Sequence, residues 1–154
     1  MWKELKRIIK PNGAIVMTAS QPFTTTLIGS NIIGYCYNWV WNKRFAGNFV
    51  QAKRQPLKDH EDICVFSLNG KMPSYYPIKT KRDKPIKKGK NEVEFGAVPL
   101  KGSLEGSNKV YTDKYPTTVS SLDFNVRNGR GFHPTQKPVA LMEYLIKTYT
   151  NEDE

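Results

Sequence analysis

Apolar and polar residues alternate along this chain with more than one period. Trp2, Leu5, Ile8 and Ile9 share one helical face, while Lys3, Glu4, Lys6 and Arg7 fall mostly off it. Pro11-Asn12-Gly13 stops that helix, because proline cannot continue it and glycine suits a left-handed cap or turn. AIVMTA, residues 14–19, is a short unbroken apolar run, the pattern of a strand buried on both faces between helices. QPFTTTLIGSN, 21–31, reads as a short helix with Pro22 at an early turn. YCYNWVWNK, 35–43, is aromatic and β-branched, and EDICVFSL, 61–68, alternates; both read as strands. RFAGNFVQAKRQPLKDH, between them, reads as a polar connection.

From about 70 to 130 the pattern dissolves into proline, glycine, lysine and apolar scraps such as VEFGAV, which predicts an insert with little regular structure. Order returns near the end. Pro138 suits the first turn of a helix, where its missing N–H costs nothing. Leu141, Tyr144, Leu145 and Thr148 form one stripe of that helix, and Met142, Ile146 and Tyr149 broaden it. Burying three or four such side chains contributes roughly 2 kcal/mol each, so this helix needs a sheet to lie against. The element order is half of an α/β sandwich, short of strands.

Composition adds limits. A chain of 154 residues is long enough for one ordinary domain, and 38% hydrophobic content with a net charge of +10 fits a folded core carrying a very polar segment. No apolar run is long enough to span a bilayer, and MWKELKRIIK lacks the apolar centre of a secretory signal, which leaves the cytoplasm as the default compartment. Cys36 and Cys64, without CxxC spacing, read as buried apolar residues in a reducing compartment rather than as metal ligands. The charge is concentrated: KTKRDKPIKKGK, 79–90, holds seven basic residues and one Asp, a net of +6, leaving +4 for the rest. Two readings stand side by side: a solvated loop, or a phosphate-contacting segment whose Lys79, Lys81, Arg82, Lys84, Lys87, Lys88 and Lys90 displace counterions from DNA. Tyr75, Tyr76, Phe95 and Tyr111 lie around it.

Four segments, in order, resemble a DNA amino-methyltransferase of the type with its catalytic motif before, and its cofactor motif after, the recognition region. MWKELKRIIKPNGAIVMTAS is similar to the helix and strand that follow the catalytic motif. YNWVWNK resembles the next strand, which commonly ends in an aromatic and a lysine. RQPLKDHEDICVFS is similar to the segment carrying a basic residue, a proline, His-Glu and a strand, and GRGFHPTQKPVALMEYLI is close to the His-Pro-Thr-Gln-Lys-Pro signature and its helix. The resemblance implies methylation of adenine N6 or cytosine N4 by S-adenosylmethionine, on a base flipped out of the duplex.

The same resemblance divides the chain into a partial core at 1–69, a target-recognition insert at 70–128 and a returning loop and helix at 129–154. It implies a partial class I methyltransferase-like, Rossmann-like sheet of about three strands in the order 14–19, 61–68, 35–43, the last two antiparallel. AIVMTA would then be an open edge, a place for self-association or for the missing portions of the enzyme to pair. His133, Pro134, Thr135, Gln136, Lys137 and Pro138 would border the methionine end of the cofactor, with Lys137 near its carboxylate or, equally, capping the helix. His60 and Glu61 match a family pair and are read as structural. Base readout would need bidentate groups such as Asn91, Arg127 or Asn128, and Arg127 joins the DNA-contact set.

The family's Asp/Asn/Ser-Pro-Pro-aromatic tetrapeptide occurs nowhere in the 154 residues; PSYYP, 73–77, lacks the paired prolines. RNGRG, 127–131, has the glycine spacing of the Phe-x-Gly-x-Gly cofactor loop but Arg127 in the Phe place and no strand before it. Both motifs are expected outside the ends of this sequence, so catalysis by these residues alone is not expected, and cofactor binding is expected to be weak or absent. A non-catalytic DNA-binding module and one subunit of a split enzyme are the alternative readings.

Overall fold

The computed structural model describes residues 1–87, 110–116, 119, 122–125, 133 and 135–151. They form two units, one of residues 1–77 with 116–154 and one of 78–115. The first unit holds α1 (Trp2–Ile8), β1 (Ile15–Ala19), α2 (Phe23–Gly29), β2 (Tyr35–Asn42), β3 (His60–Phe66), β6 (Leu122–Asp123) and α3 (Val139–Tyr149).

The sheet is organised around β3. Its residues Ile63 to Phe66 are fully buried, which requires neighbours on both edges and cover on both faces. β1 pairs antiparallel along one edge, Ile15 opposite Phe66 and Ala19 opposite Asp62. β2 pairs antiparallel along the other, Trp39 opposite Ile63 and Asn42 opposite His60. The sheet order is β1-β3-β2-β6. The three expected strands therefore stand in the expected order, and the count is corrected by a fourth. β6 lies parallel to β2, with Trp41 opposite Leu122. Among the described residues β1 pairs only with β3, so it is an edge strand.

Alternation along β3 sorts its side chains into two cores. Ile63 and Val65 join Trp39, Trp41, Leu122, Leu141, Leu145 and Tyr149 under α3. Cys64 and Phe66 join Ile15, Ala19 and Leu27, against which Trp2, Leu5 and Ile9 pack from α1. A slip of one residue in β3 would exchange these sets, so burial on both sides fixes the register.

The helical stripes are narrower than their sequences suggest. Ile8 is 66% exposed, because it stands about 100° around the helix from Ile9, which does pack. On α3 the buried set is Leu141, Leu145, Thr148 and Tyr149; Met142 and Ile146 face outward, correcting their assignment to the core stripe. The Tyr149 hydroxyl accepts a hydrogen bond from Trp39 Nε1 at 2.6 Å and lies 2.6 Å from the Tyr37 hydroxyl, which ties the end of α3 to β2. Pro138 is the N-cap of α3, outside the helix proper, and its carbonyl accepts from the Leu141 and Met142 amides.

In the second unit β4 (Thr80–Lys87) and β5 (Val110–Lys114) form an antiparallel hairpin. This corrects the expectation of an irregular insert for the described part of that segment. Lys81 stands opposite Asp113 and Ile86 opposite Tyr111, a charge pair and an apolar pair of the kind that stabilises two-stranded ribbons. Pro85 sits in the irregular stretch between Lys81 and Ile86, where the ladder is interrupted and its missing N–H costs little. No helix among the described residues is long and apolar enough to cross a membrane.

Candidate functional site

β1 and β2 reach their carboxyl ends where β3 begins, since both run antiparallel to it. Ligands of open α/β sheets bind outside the carboxyl ends of strands. At this end of β3 alternation points Glu61 to the α3 side and Asp62 to the α2 side, where the buried Thr24 hydroxyl donates to Asp62 at 2.7 Å. Trp41 of β2 stands directly opposite Glu61.

Two lysines converge on Glu61. Lys43 Nζ lies 3.2 Å from Oε1 and Lys137 Nζ 2.6 Å from Oε2. The three side chains retain 16%, 30% and 19% exposure for Lys43, Lys137 and Glu61, so the cluster is largely withdrawn from water. The Lys137 ammonium also stands over the Trp41 ring, 5.2 Å from its centroid, in cation–π range. Burial works to raise the Glu61 pKa. The hydrogen bond and charge of Lys137, and then those of Lys43, outweigh it and hold the carboxyl below its ordinary range.

The loop that carries Lys137 is shaped by its own short-range bonds. The Thr135 amide donates to His133 Nδ1 at 3.2 Å, with the Thr135 hydroxyl 2.9 Å from the same nitrogen, and the Gln136 amide donates to the His133 carbonyl at 3.1 Å. His133 and Thr135 are exposed, and Gln136 and Lys137 are half-buried. Beyond Asn42 the chain turns at Arg44, whose φ of 54° is left-handed and whose amide donates to Asn42 Oδ1. Its guanidinium grips both oxygens of the Asp123 carboxylate, pinning β6 to the end of β2.

The arrangement has one carboxylate between two ammonium groups, hence one uncompensated positive charge beside an exposed turn. It can hold an anion. Glu61 is a poor proton acceptor, with both oxygens engaged and its acidity increased. Among the described residues no group of three or more His, Cys, Asp or Glu side chains is placed to hold a metal ion. Burial, then Asp62, pushes the Cys64 thiol up to about 11, so it stays protonated inside the core.

A family model for N6 and N4 methyltransferases, described as DNA methylase, matches residues 1–154. The chain belongs to this DNA methylase family. Comparison with curated proteins and with solved structures gives no match.

Within this DNA methylase chain the sequence-derived residues fall into separate places. His133, Thr135, Gln136 and Lys137 gather in the loop before α3, and Lys137 is bound to Glu61. Of the paired His60 and Glu61, Glu61 points into the cluster while His60 is exposed beside Asp59. Lys79, Lys81, Arg82, Lys84 and Lys87 belong to the hairpin unit, where Lys79 Nζ stands 4.7 Å from the Tyr115 ring centroid and Arg82 Nε donates to the Asp113 carbonyl. Lys88, Lys90, Asn91, Arg127, Asn128 and Pro134 lie outside the described residues. Sequence reasoning did not single out Lys43 or Trp41 as site residues. The available signal was the aromatic-then-lysine ending of YNWVWNK.

Proposed function

We propose that this chain is the part of an S-adenosylmethionine-dependent DNA amino-methyltransferase that borders the methionine end of the cofactor and holds DNA by its phosphates. The target would be the exocyclic amino group of adenine or cytosine. The convergence of Lys43 and Lys137 on Glu61, at the carboxyl ends of β1 and β2, carries this reading. It ties the signature loop of residues 133–137 to the sheet end where such a ligand would lie. The cluster's donor set fits an amino-acid carboxylate: two ammonium groups share one carboxylate, and the excess positive charge matches one anion. When bound, S-adenosylmethionine supplies an activated methyl group. Glu61 would act as a positioning residue that orients both ammonium groups and does not accept the amino proton.

The clamp for the amino group is proposed to come from outside these 154 residues, because no Pro-Pro-aromatic motif occurs among them. Among the described residues one edge of β1 is unpaired, which supports completion of the sheet by a further strand, from another segment, another chain or a second copy.

On the DNA side, Lys79, Lys81, Arg82, Lys84 and Lys87, with Lys88 and Lys90, are proposed to contact phosphates. Three to five such contacts give a log–log slope of affinity against salt of about −3 to −4.5. Substituting Lys81, Lys84 and Lys87 by alanine is expected to flatten that slope by up to about three in a filter-binding series. An unchanged slope would reduce the basic hairpin to a solvated ribbon.

A further inference from the structure

The connection from β2 to β3 is a second concentration of positive charge. Residues 43–58 contain Lys43, Arg44, Lys53, Arg54 and Lys58 and no acidic residue. Lys43 and Arg44 are committed to Glu61 and Asp123. Lys53, Arg54 and Lys58 form no ion pair among the described residues, although Asp59 and Asp62 are close in sequence.

The connection is folded. The Lys43 amide donates to the Asp59 carbonyl at 2.8 Å and closes its neck. Asn48 spans it, accepting from the Lys58 amide at 2.8 Å and donating to the Pro56 carbonyl at 3.4 Å. The Arg54 and Gln55 amides both donate to the Gln51 carbonyl, closing a turn. Lys58 is held as well: half-buried, its Nζ donates to Ser20 Oγ at 2.7 Å, at the carboxyl end of β1. A cation fixed on a neutral hydroxyl keeps its charge uncompensated. Beside Lys53 and Arg54, Phe49 is 68% and Val50 82% exposed. Exposed apolar side chains in a basic loop are unfavourable in water but suit sugar and base surface between phosphates.

We propose that the loop of residues 43–59 is a second DNA-contacting element, at the same sheet end as the Glu61 cluster. Lys53, Arg54 and Lys58 take backbone phosphates, and Phe49 and Val50 lie against sugar and base. This rests on the DNA methylase reading above. It adds a contact surface on the α/β unit to the one on the hairpin.

The test is fluorescence-anisotropy titration of duplex DNA by the whole chain across a salt series. Lys53→Gln/Arg54→Gln, both exposed, is expected to melt like the parent and to flatten the salt slope by up to about 1.8; adding Lys58→Gln is expected to bring the change to about 2.7. Phe49→Ala is expected to lower affinity several-fold at an unchanged slope, and an unchanged affinity would overturn the apolar contact. Suppose the loop variants keep the parental slope while a Lys81→Gln/Arg82→Gln/Lys84→Gln hairpin variant flattens it. The loop proposal then falls, and the function proposed above stands. If neither set changes the slope, both fall. Tighter loop-dependent binding to phosphatidylserine-containing vesicles than to DNA would also overturn the proposal.

Discussion

Trp41→Ala is expected to destabilise the α/β unit by about 3–5 kcal/mol, the largest effect of any single substitution considered. The indole is fully buried between β3, β6 and α3, and its loss leaves a cavity in the core that contains Ile63, Leu122, Leu141 and Leu145. The Nε1–H also donates to the Phe124 carbonyl at 2.8 Å, so the residue after β6 loses its partner. With β6 only two residues long, its attachment to β2 should fail together with that bond. Domain stabilities run from about 5 to 15 kcal/mol, so the variant keeps only a fraction of the native margin. A fall in the melting midpoint of about 10 °C is expected by circular dichroism. Trp41→Phe retains most of the volume and loses the donor, so it should cost about 1–2 kcal/mol. A Trp41→Ala loss below about 1 kcal/mol would mean that this side of the sheet is not packed as described.

Glu61→Gln is expected to produce the second largest effect, and one that depends on pH. Removing the carboxylate leaves two ammonium groups side by side with little access to water, at a cost of about 2–4 kcal/mol near neutrality. The Glu61 pKa lies below its ordinary 4.5 in the folded chain, net of the opposing effect of burial. Its contribution is therefore present in full above that ordinary value and is lost as pH falls through the lower folded value. Urea midpoints of the parent and of Glu61→Gln should differ most near neutral pH and converge on acidification below 4.5. A gap that stayed constant through that range would show that Glu61 acts by shape and not by charge. Lys137→Met should raise the Glu61 pKa, because it removes the stronger of the two opposing influences on burial.

Much of the α/β unit could be read from local pattern. β2 and β3 declare themselves through Trp39, Trp41, Ile63 and Val65; the apolar run of β1 marks a strand but reads as one buried on both faces, whereas its middle three residues are only half-buried. Elements whose cause is not local could not be read in this way. β6 has two residues and no period, and it exists because Leu122 fits against Trp41 and because Arg44 holds Asp123. The hairpin hides its alternation behind Pro85 and the register break between Lys81 and Ile86. On α3, Met142 looks as apolar as Leu141, but only the narrow stripe of Leu141, Leu145, Thr148 and Tyr149 meets the sheet.

Of the three cluster residues, the sequence marks only Lys137 as a site residue; Glu61 reads as structural and Lys43 is not singled out. Lys137, in the signature loop, and Lys43, just past the end of β2, lie 76 residues after and 18 residues before Glu61. Only the antiparallel pairing of β2 with β3 and the return of the chain along α3 bring the three together. The cations of residues 79–90 form a run, whereas those of the connection 44–60 are spread too thinly to form one.

This DNA methylase chain is proposed to supply a cofactor-bordering loop and DNA-contacting surfaces, while the groups that clamp the amino nitrogen come from elsewhere. The direct measurement is methyl transfer from labelled S-adenosylmethionine to mixed-sequence duplex DNA by the chain alone, with DNA binding confirmed in the same sample. DNA-linked label at the level of a heat-killed control is the expected result. Protein-dependent label above that level would contradict the claim, because it would mean that these 154 residues hold a complete catalytic site.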